Sequence, residues 1–114
     1  MNVWELKESD VLYVQRGAIL KAASCFDISN PELMDNIELL NIIQEADPGL
    51  FNLLENFCTT YWNYYYFIKV LAPYEKRNGL SESEKEKLSD YMHEKEESKK
   101  ALLERLQEMK MLKG

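Results

Sequence analysis

Three helix-start signals divide this chain into four segments and constrain its fold more than any other feature. Asn30-Pro31 and Asp47-Pro48 each place a side chain that can cap a helix before a proline suited to the first helical position. Residues 81–84 read Ser-Glu-Ser-Glu, the spacing of a capping box, in which a hydroxyl and a carboxylate each accept a hydrogen bond from the other residue's backbone amide. Helices are therefore expected to start at each of these points.

Apolar side chains recur between these signals at intervals of three and four residues, which is the helical period. We predict helices over residues 10–26, 31–46, 48–77 and 82–112. Pro73 lies inside the third helix and predicts either a kink near residues 69–72 or two helices with a tight junction. Asn78-Gly79 then ends that segment, since both residue types tolerate the left-handed conformation.

The predicted fold class is all-α. Short connections favour antiparallel neighbours, so we expect an antiparallel four-helix bundle-like domain with two short helices packed on a long helical hairpin. At 114 residues, the chain has the usual size of one domain. The second helix is predicted to turn four apolar residues inward: Leu33, Ile37, Leu40 and Ile43. Residues 93–100 contain no apolar residue, so this octet is predicted to contribute no packed seam.

Charge is unevenly distributed along the chain. The formal net charge is −6, and no Lys or Arg occurs between Lys21 and Lys69. Strong acidity disfavours direct binding to nucleic acid, because phosphates repel carboxylates. The acidic residues of the second segment either form a solvated face or dock a basic partner. The candidate partner-binding residues on this acidic face are Glu32, Asp35, Glu38 and Glu45.

Several features predict a cytoplasmic protein without a membrane segment. Cys25 and Cys58 form no Cys-x-x-Cys motif, and we expect both to be reduced thiols. The first residues show neither a basic region nor an apolar core of a signal peptide. The most apolar run, residues 57–72, is shorter than the roughly 20 residues that span a bilayer.

No pattern in the sequence predicts catalysis, a metal site or a cofactor. His93 is the only histidine, whereas a two-metal site in a helical bundle needs a second histidine on another helix. A Cys–His nucleophile is unexpected, because both cysteines lie in apolar stretches and His93 opens the polar octet. Acid–base catalysis would need a carboxylate in an apolar pocket. Glu55, near Leu54 and Phe57, is the only candidate, and surface placement is expected for it. The chain is therefore predicted not to be an enzyme.

Residues 61–67 form a dense aromatic block, with Tyr74 beyond it. Consecutive helical positions point about 100° apart, so these rings cannot all face one seam. They either complete the core and its boundary or present a docking patch, since Tyr and Trp are enriched at interfaces. The candidate partner-binding residues are Tyr61, Trp62, Tyr64, Tyr65, Tyr66 and Tyr74.

The last segment ends in an apolar stripe beyond the polar octet. This stripe either covers the loop between the second and third helices or the tops of the short helices, or it pairs with a helix of another protein or of a second copy. Pairing with a second copy would give a homodimer. Its candidate binding residues are Leu102, Leu103, Leu106, Met109 and Leu112.

The sequence lacks a recognisable set of catalytic groups, and it has more aromatic and apolar residues than an isolated bundle of this size needs. Together these features predict a non-enzymatic protein–protein interaction module. Such a module would be a small regulator, adaptor or inhibitor that acts by binding a partner protein. The alternative is an acidic nucleic-acid mimic that inhibits a nucleic-acid enzyme by occupying its basic groove. The two differ in salt dependence, because only the second binds mainly through charge.

Overall fold

The computed structural model describes residues 3–113, with side chains from residue 3 to residue 111. Within that range the chain forms four α-helices that pack against each other: α1 (Glu8–Ala23), α2 (Asn36–Ala46), α3 (Pro48–Arg77) and α4 (Glu82–Lys113). Single turns of 3-10 helix span Val3–Glu5 and Pro31–Leu33, and residues 3–113 contain no strand. The all-α prediction is confirmed. The molecule is elongated, at 52 × 25 × 22 Å.

The predicted starts of α3 and α4 are confirmed in detail. The Asp47 carboxylate accepts a hydrogen bond from the Leu50 amide at 3.1 Å, and Pro48 takes the first helical position. At the start of α4, the Ser81 hydroxyl accepts from the Glu84 amide at 3.2 Å and the Glu84 carboxylate accepts from the Ser81 amide at 2.9 Å. Both caps form because each capping side chain and the backbone amide that donates to it are only three residues apart.

Gly79 ends α3 in the way the sequence predicts. Its φ angle of 75° is left-handed, and the amides of Asn78 and Gly79 both donate to the Tyr74 carbonyl. Before this end, α3 runs through Pro73 as one helix, so the alternative of two helices is wrong. Pro73 removes one hydrogen bond close to the end of a 30-residue helix, and the remaining bonds suffice. A kink at this point stays a prediction.

The second helix begins five residues later than predicted. Residues 31–33 form only a 3-10 turn, and α2 starts at Asn36, capped by the Asp35 carboxylate, which accepts from the Glu38 amide at 2.8 Å. Asn30 precedes the 3-10 turn rather than an α-helix, its side chain makes no capping hydrogen bond, and its φ angle of 50° is left-handed. The first helix also differs, since it spans Glu8–Ala23 rather than residues 10–26.

Arg16 on α1 explains why the 3-10 turn is retained. Its guanidinium donates to the carbonyls of Glu32 at 3.2 Å and Met34 at 2.8 Å, and to the Asn36 side chain at 2.8 Å. A continuous helix would engage the Glu32 carbonyl in its own ladder instead. The contact comes from a residue 16 to 20 positions away, so local sequence rules do not reveal it.

The buried face of α2 also differs from the predicted one. Leu39 and Ile43 are fully buried, whereas Leu33 and Ile37 are 82% and 72% exposed. The predicted inward placement of Leu33 and Ile37 is therefore wrong, Ile43 is confirmed, and Leu40 is half-buried. Residues four apart lie on one helix face, which is why Leu39 and Ile43 share the core position.

The buried apolar residues form two clusters along α3. The larger one lies where α1, α2 and α4 meet the first half of α3, and the smaller one lies near the N-terminal turn and the middle of α3. The larger contains Ile19, Ala22, Ala23, Leu39, Ile43, Leu50, Leu54, Phe57, Leu102 and Leu106. The smaller contains Leu6, Val11, Tyr64, Tyr65 and Ile68. The long third helix is thus the element that both clusters share.

The polar octet of α4 does pack against α3, so the prediction that it adds no seam is wrong. Ser98 is buried, and its hydroxyl lies 2.7 Å from the Thr60 hydroxyl. One of these two hydroxyls donates to the other, which leaves the second free to donate to the carbonyl three residues before it. A small hydroxyl side chain lets the two helices approach without an unsatisfied polar atom.

Candidate protein-binding surfaces

The aromatic block divides into buried and exposed rings. Tyr64 and Tyr65 are buried in the smaller cluster beside Ile68. Tyr61 is half-buried and meets Phe57 edge to face, with 5.8 Å between the ring centroids. Burial raises the pKa of the Tyr64 phenol. The structure therefore removes Tyr64 and Tyr65 from any surface that a partner could reach on the folded protein.

Exposed rings line the open side of α3. Trp62 is half-buried and stacks on Tyr66 at 5.3 Å between centroids, with 21° between the ring planes. Tyr66, Val70 and Tyr74 follow at intervals of four residues and are 58%, 61% and 56% exposed. We call the set Trp62, Tyr66, Val70 and Tyr74 the α3 ridge. Tyr66 and Ile68 are about 200° apart around the helix, so Tyr66 points away from the core. Trp62, at the start of the ridge, also packs against the smaller cluster.

The first half of the same open face is polar. Steps of three and four residues back from Tyr66 lead to Asn63, Thr59, Asn56 and Asn52, which are all exposed. One helix face thus changes from amide and hydroxyl side chains to phenol rings and valine. Sequence reasoning singled out Tyr66 and Tyr74 but missed Val70, although its spacing of four residues from both was visible.

The four residues of the predicted acidic face are exposed. Glu32, Asp35, Glu38 and Glu45 are all exposed on the 3-10 turn and α2 or at their junction. Leu33 and Ile37 lie exposed among these acids. The Asp35 carboxylate is engaged at the α2 start, so the acids differ in their freedom to meet a partner.

The C-terminal stripe is largely part of the core. Leu102 and Leu106 are buried in the larger cluster, and Met109 is half-buried against it. Leu103 is partly exposed, and the side chain of Leu112 lies outside the described residues. The stripe therefore packs into the core that α3 shares with α1 and α2, and it leaves mainly Leu103 for a further contact.

Leu103 lies in a groove that the sequence analysis did not anticipate. The groove runs between α1 and α4 as two adjoining hollows of about 330 and 430 Å³ that share Lys21, Leu103 and Leu106. Phe57 of α3 lines the first hollow, and Val14, Gly17 and Ala18 of α1 form one wall. A groove needs two helices placed side by side at a distance, which no single helix pattern encodes.

The residues considered for catalysis or metal binding are not assembled into a site. His93 is exposed, with its Nε2 3.9 Å from a carboxylate oxygen of Glu97, and Glu55 is exposed. Within residues 3–111, no group of three or more His, Cys, Asp or Glu side chains is placed to hold a metal ion. Cys25 and Cys58 are not joined by a disulfide, and burial together with the Glu55 charge raises the pKa of Cys58 to about 11.

None of the helices within residues 3–113 is both long enough and apolar enough to cross a bilayer. α3 is long enough, at 30 residues, but its open face carries the polar residues described above.

A functional proposal for this protein depends on the geometry of these surfaces, because comparisons with known proteins identify no relative. No protein-family model, curated protein or solved structure matches this chain.

Proposed function

We propose that this protein is a non-enzymatic interaction module, a small regulator, adaptor or inhibitor that binds a partner protein through the α3 ridge. The observation that carries the proposal is the change along one open helix face. Its first half has exposed polar side chains at positions 52, 56, 59 and 63, and its second half has Tyr66, Val70 and Tyr74, each more than half exposed. Exposed apolar side chains grouped together are typical of binding surfaces, whereas single ones are ordinary. Tyr is also enriched among residues that dominate binding energy.

The scaffold behind this proposal is an antiparallel bundle that holds the ridge on a rigid helix. Three contacts join α3, counted from its capping residue Asp47, to α4. They support an antiparallel arrangement of these two helices, because the residue numbers rise along α3 as they fall along α4. The contacts are Asp47–Arg105, Thr60–Ser98 and Phe67–Tyr91. A ridge on such a helix loses little conformational entropy on binding.

Site-specific cross-linking in the native cell tests this proposal. A photoreactive phenylalanine analogue is placed at Tyr66, at Tyr74 or, as the matched control, at Thr59 on the polar half of the same face. We expect Tyr66 and Tyr74 to cross-link to one common protein that Thr59 does not reach. Equal cross-linking from all three positions, or none from the ridge, would contradict the proposal.

Binding of that cross-linked protein is then measured with purified components. Tyr66→Ser and Tyr74→Ser together should weaken binding about tenfold or more, since each ring can contribute 1 kcal/mol or more at an interface. Asn56→Ser with Asn63→Ser, on the same helix face, should leave affinity unchanged. If the asparagine pair matters as much as the tyrosine pair, the ridge is not the binding surface.

A second candidate function is the acidic nucleic-acid mimic. Its support is the exposure of Glu32, Asp35, Glu38 and Glu45 in a stretch of 47 residues, 22–68, without Lys or Arg. Binding through these charges should weaken steeply as salt rises, whereas binding through the ridge should respond little. Replacing Glu32, Glu38 and Glu45 with Gln spares the Asp35 cap, and unchanged partner binding by that variant would exclude the mimic.

A further inference from the structure

The groove between α1 and α4 is a second surface with its own chemistry. Its walls are apolar: Val14 and Ala18 on one side, Leu103 and Leu106 on the other, with Phe57 between them. Leu103 is 42% exposed, although Leu102 and Leu106 in the same stripe are buried. The groove therefore offers water-accessible apolar surface between two helices.

Three lysines surround this apolar groove. Lys21 borders both hollows, Lys99 borders the first and Lys110 the second, and all three are exposed. No Asp or Glu lines either hollow. Among the residues with described side chains, no carboxylate lies within ion-pair distance of these three ammonium groups. In a chain of net charge −6, this is a local excess of uncompensated positive charge.

The spacing of these lysines restricts the ligand. Lys99 and Lys110 are 11 residues apart on α4, or roughly 16 Å at 1.5 Å per residue. A small molecule with one carboxylate would meet one of them and leave the others unpaired. A helix of about three turns can place apolar side chains in the groove and carboxylates along both edges.

We infer that the groove binds an acidic amphipathic helix of a partner protein, with its apolar face against Leu103 and its carboxylates beside Lys21, Lys99 and Lys110. This inference rests on the proposed role as an interaction module, but it uses a surface separate from the α3 ridge. Charge complementarity selects the partner: helices with acidic flanks are attracted, and basic ones are repelled.

Gly17 lines the groove, so a larger side chain at this position can be used to block it. A Cβ at Gly17 would meet no atom within 4 Å, and the residue lies inside α1. Ala there is therefore tolerated and should favour the helix by about 0.5–1 kcal/mol. A leucine at the same position would project from the α1 wall into the space that the partner helix is inferred to occupy.

The test uses the full chain and a fluorescent peptide of about 18 residues, roughly five helical turns, built from a Leu-Glu-Glu-Leu-Leu-Glu-Glu repeat. Binding is measured by fluorescence anisotropy. We expect Lys21→Glu/Lys99→Glu/Lys110→Glu and, separately, Gly17→Leu to weaken binding about tenfold or more. Gly17→Ala should bind like the wild type. A peptide of the same composition in scrambled order, without an apolar face, should bind at least tenfold more weakly than the patterned peptide.

The matched control reverses three exposed lysines that do not border the groove: Lys7, Lys76 and Lys100. This variant has the same net charge as the groove triple variant, so equal weakening in both would show nonspecific charge attraction and overturn the inference. Full binding by Gly17→Leu would do the same. So would sedimentation equilibrium showing wild-type dimers that Gly17→Leu abolishes, because a second copy would then occupy the groove.

Failure here is distinguishable from failure of the proposed function. Tyr66→Ser/Tyr74→Ser should bind the peptide like the wild type, since the α3 ridge does not line the groove. No peptide binding, together with specific cross-linking from Tyr66, would overturn the groove inference alone. Groove binding without ridge cross-linking would confirm the inference and overturn the ridge as the docking surface.

Discussion

The Lys95 ammonium lies 4.6 Å from the centroid of the Tyr64 ring and 5.3 Å from that of Tyr61. Its side chain is only 16% exposed, and its Nζ also lies 3.2 Å from a carboxylate oxygen of Glu96. The aliphatic stem of a lysine can cover apolar surface while its charge meets the π-faces of aromatic rings. Lys95 thus joins the polar octet of α4 to the half-buried Tyr61 and the buried Tyr64 of α3.

Replacing Lys95 by Met tests this contact. Met keeps an unbranched stem but removes the charge, so the free energy of unfolding should fall by about 0.5–2 kcal/mol. Urea denaturation followed by circular dichroism measures the change. Lys100→Met, at an exposed position on the same helix, is the control and should change stability by less than about 0.5 kcal/mol. Equal effects of the two substitutions would argue against the Lys95 contact.

Asp47 links the start of α3 to α4 and makes stability depend on pH. Its carboxylate accepts from the Leu50 amide and lies 3.0 Å from the Arg105 guanidinium. Burial opposes ionisation of this carboxyl, but these partners outweigh burial and hold its pKa below the ordinary value of 3.8. The stabilisation is therefore complete above pH 3.8 and is lost as pH falls through the lower pKa of the folded state.

We expect Asp47→Ala to lower the free energy of unfolding at pH 7 by about 1–2 kcal/mol, because a helix cap and an ion pair are both lost. The difference from the wild type should shrink as pH falls below 3.8. Thermal unfolding measured from pH 7 down to pH 3 checks this. A difference that stays constant across the whole range would contradict a role for the Asp47 charge, and Asp35→Ala serves as the control for a cap without an arginine partner.

The Cys58 thiol should react slowly with alkylating reagents. Burial and the nearby Glu55 charge raise its pKa to about 11, so at pH 8 about one thiol in a thousand is the reactive thiolate. In a Cys25→Ser variant, iodoacetamide labelling followed by mass spectrometry should be far slower in the folded protein than in urea. The folded-state rate should rise about tenfold per pH unit up to pH 10. Equal rates with and without urea would contradict the assignment.

Leu103 and Leu106 should differ sharply although both belong to the C-terminal stripe. Leu106 is buried in the larger cluster, so Leu106→Ala should cost about 2–5 kcal/mol of stability. Leu103→Ala removes a partly exposed side chain at the groove and should cost less than about 1 kcal/mol. Chemical denaturation of both variants measures the difference, and similar losses would contradict the placement of Leu103.

The difference in burial between Leu103 and Leu106 also decides which substitution can test for a homodimer formed through the C-terminal stripe. Aspartate at Leu102 or Leu106 would disrupt the core and reveal nothing about association. Leu103→Asp changes only the exposed part of the stripe, so light scattering on that variant is informative. An unchanged molar mass relative to the wild type would exclude Leu103 as a dimer contact.

Local sequence determined where a helix begins or ends wherever all the hydrogen-bond partners of that helix end lie within a few residues of each other. Asp47-Pro48, the capping box at 81–84 and Asn78-Gly79 all form as predicted, because each hydrogen-bond partner lies three to five residues away. The periodicity of the apolar residues likewise predicted an all-helical chain. These features depend on backbone geometry that is the same in any helical protein.

Tertiary structure decided the rest, because the deciding partners come from distant parts of the chain. Arg16 of α1 binds the backbone before α2, and α2 begins later than the local sequence predicts. Thr60 of α3 gives Ser98 a buried hydrogen-bond partner, which the polar sequence around Ser98 does not predict. Which rings of the aromatic block are exposed depends on where α1 and α4 lie against α3, and the groove exists only because those two helices stand apart. Side-chain pattern sets the faces of each helix, whereas packing between helices determines which faces remain open to a partner.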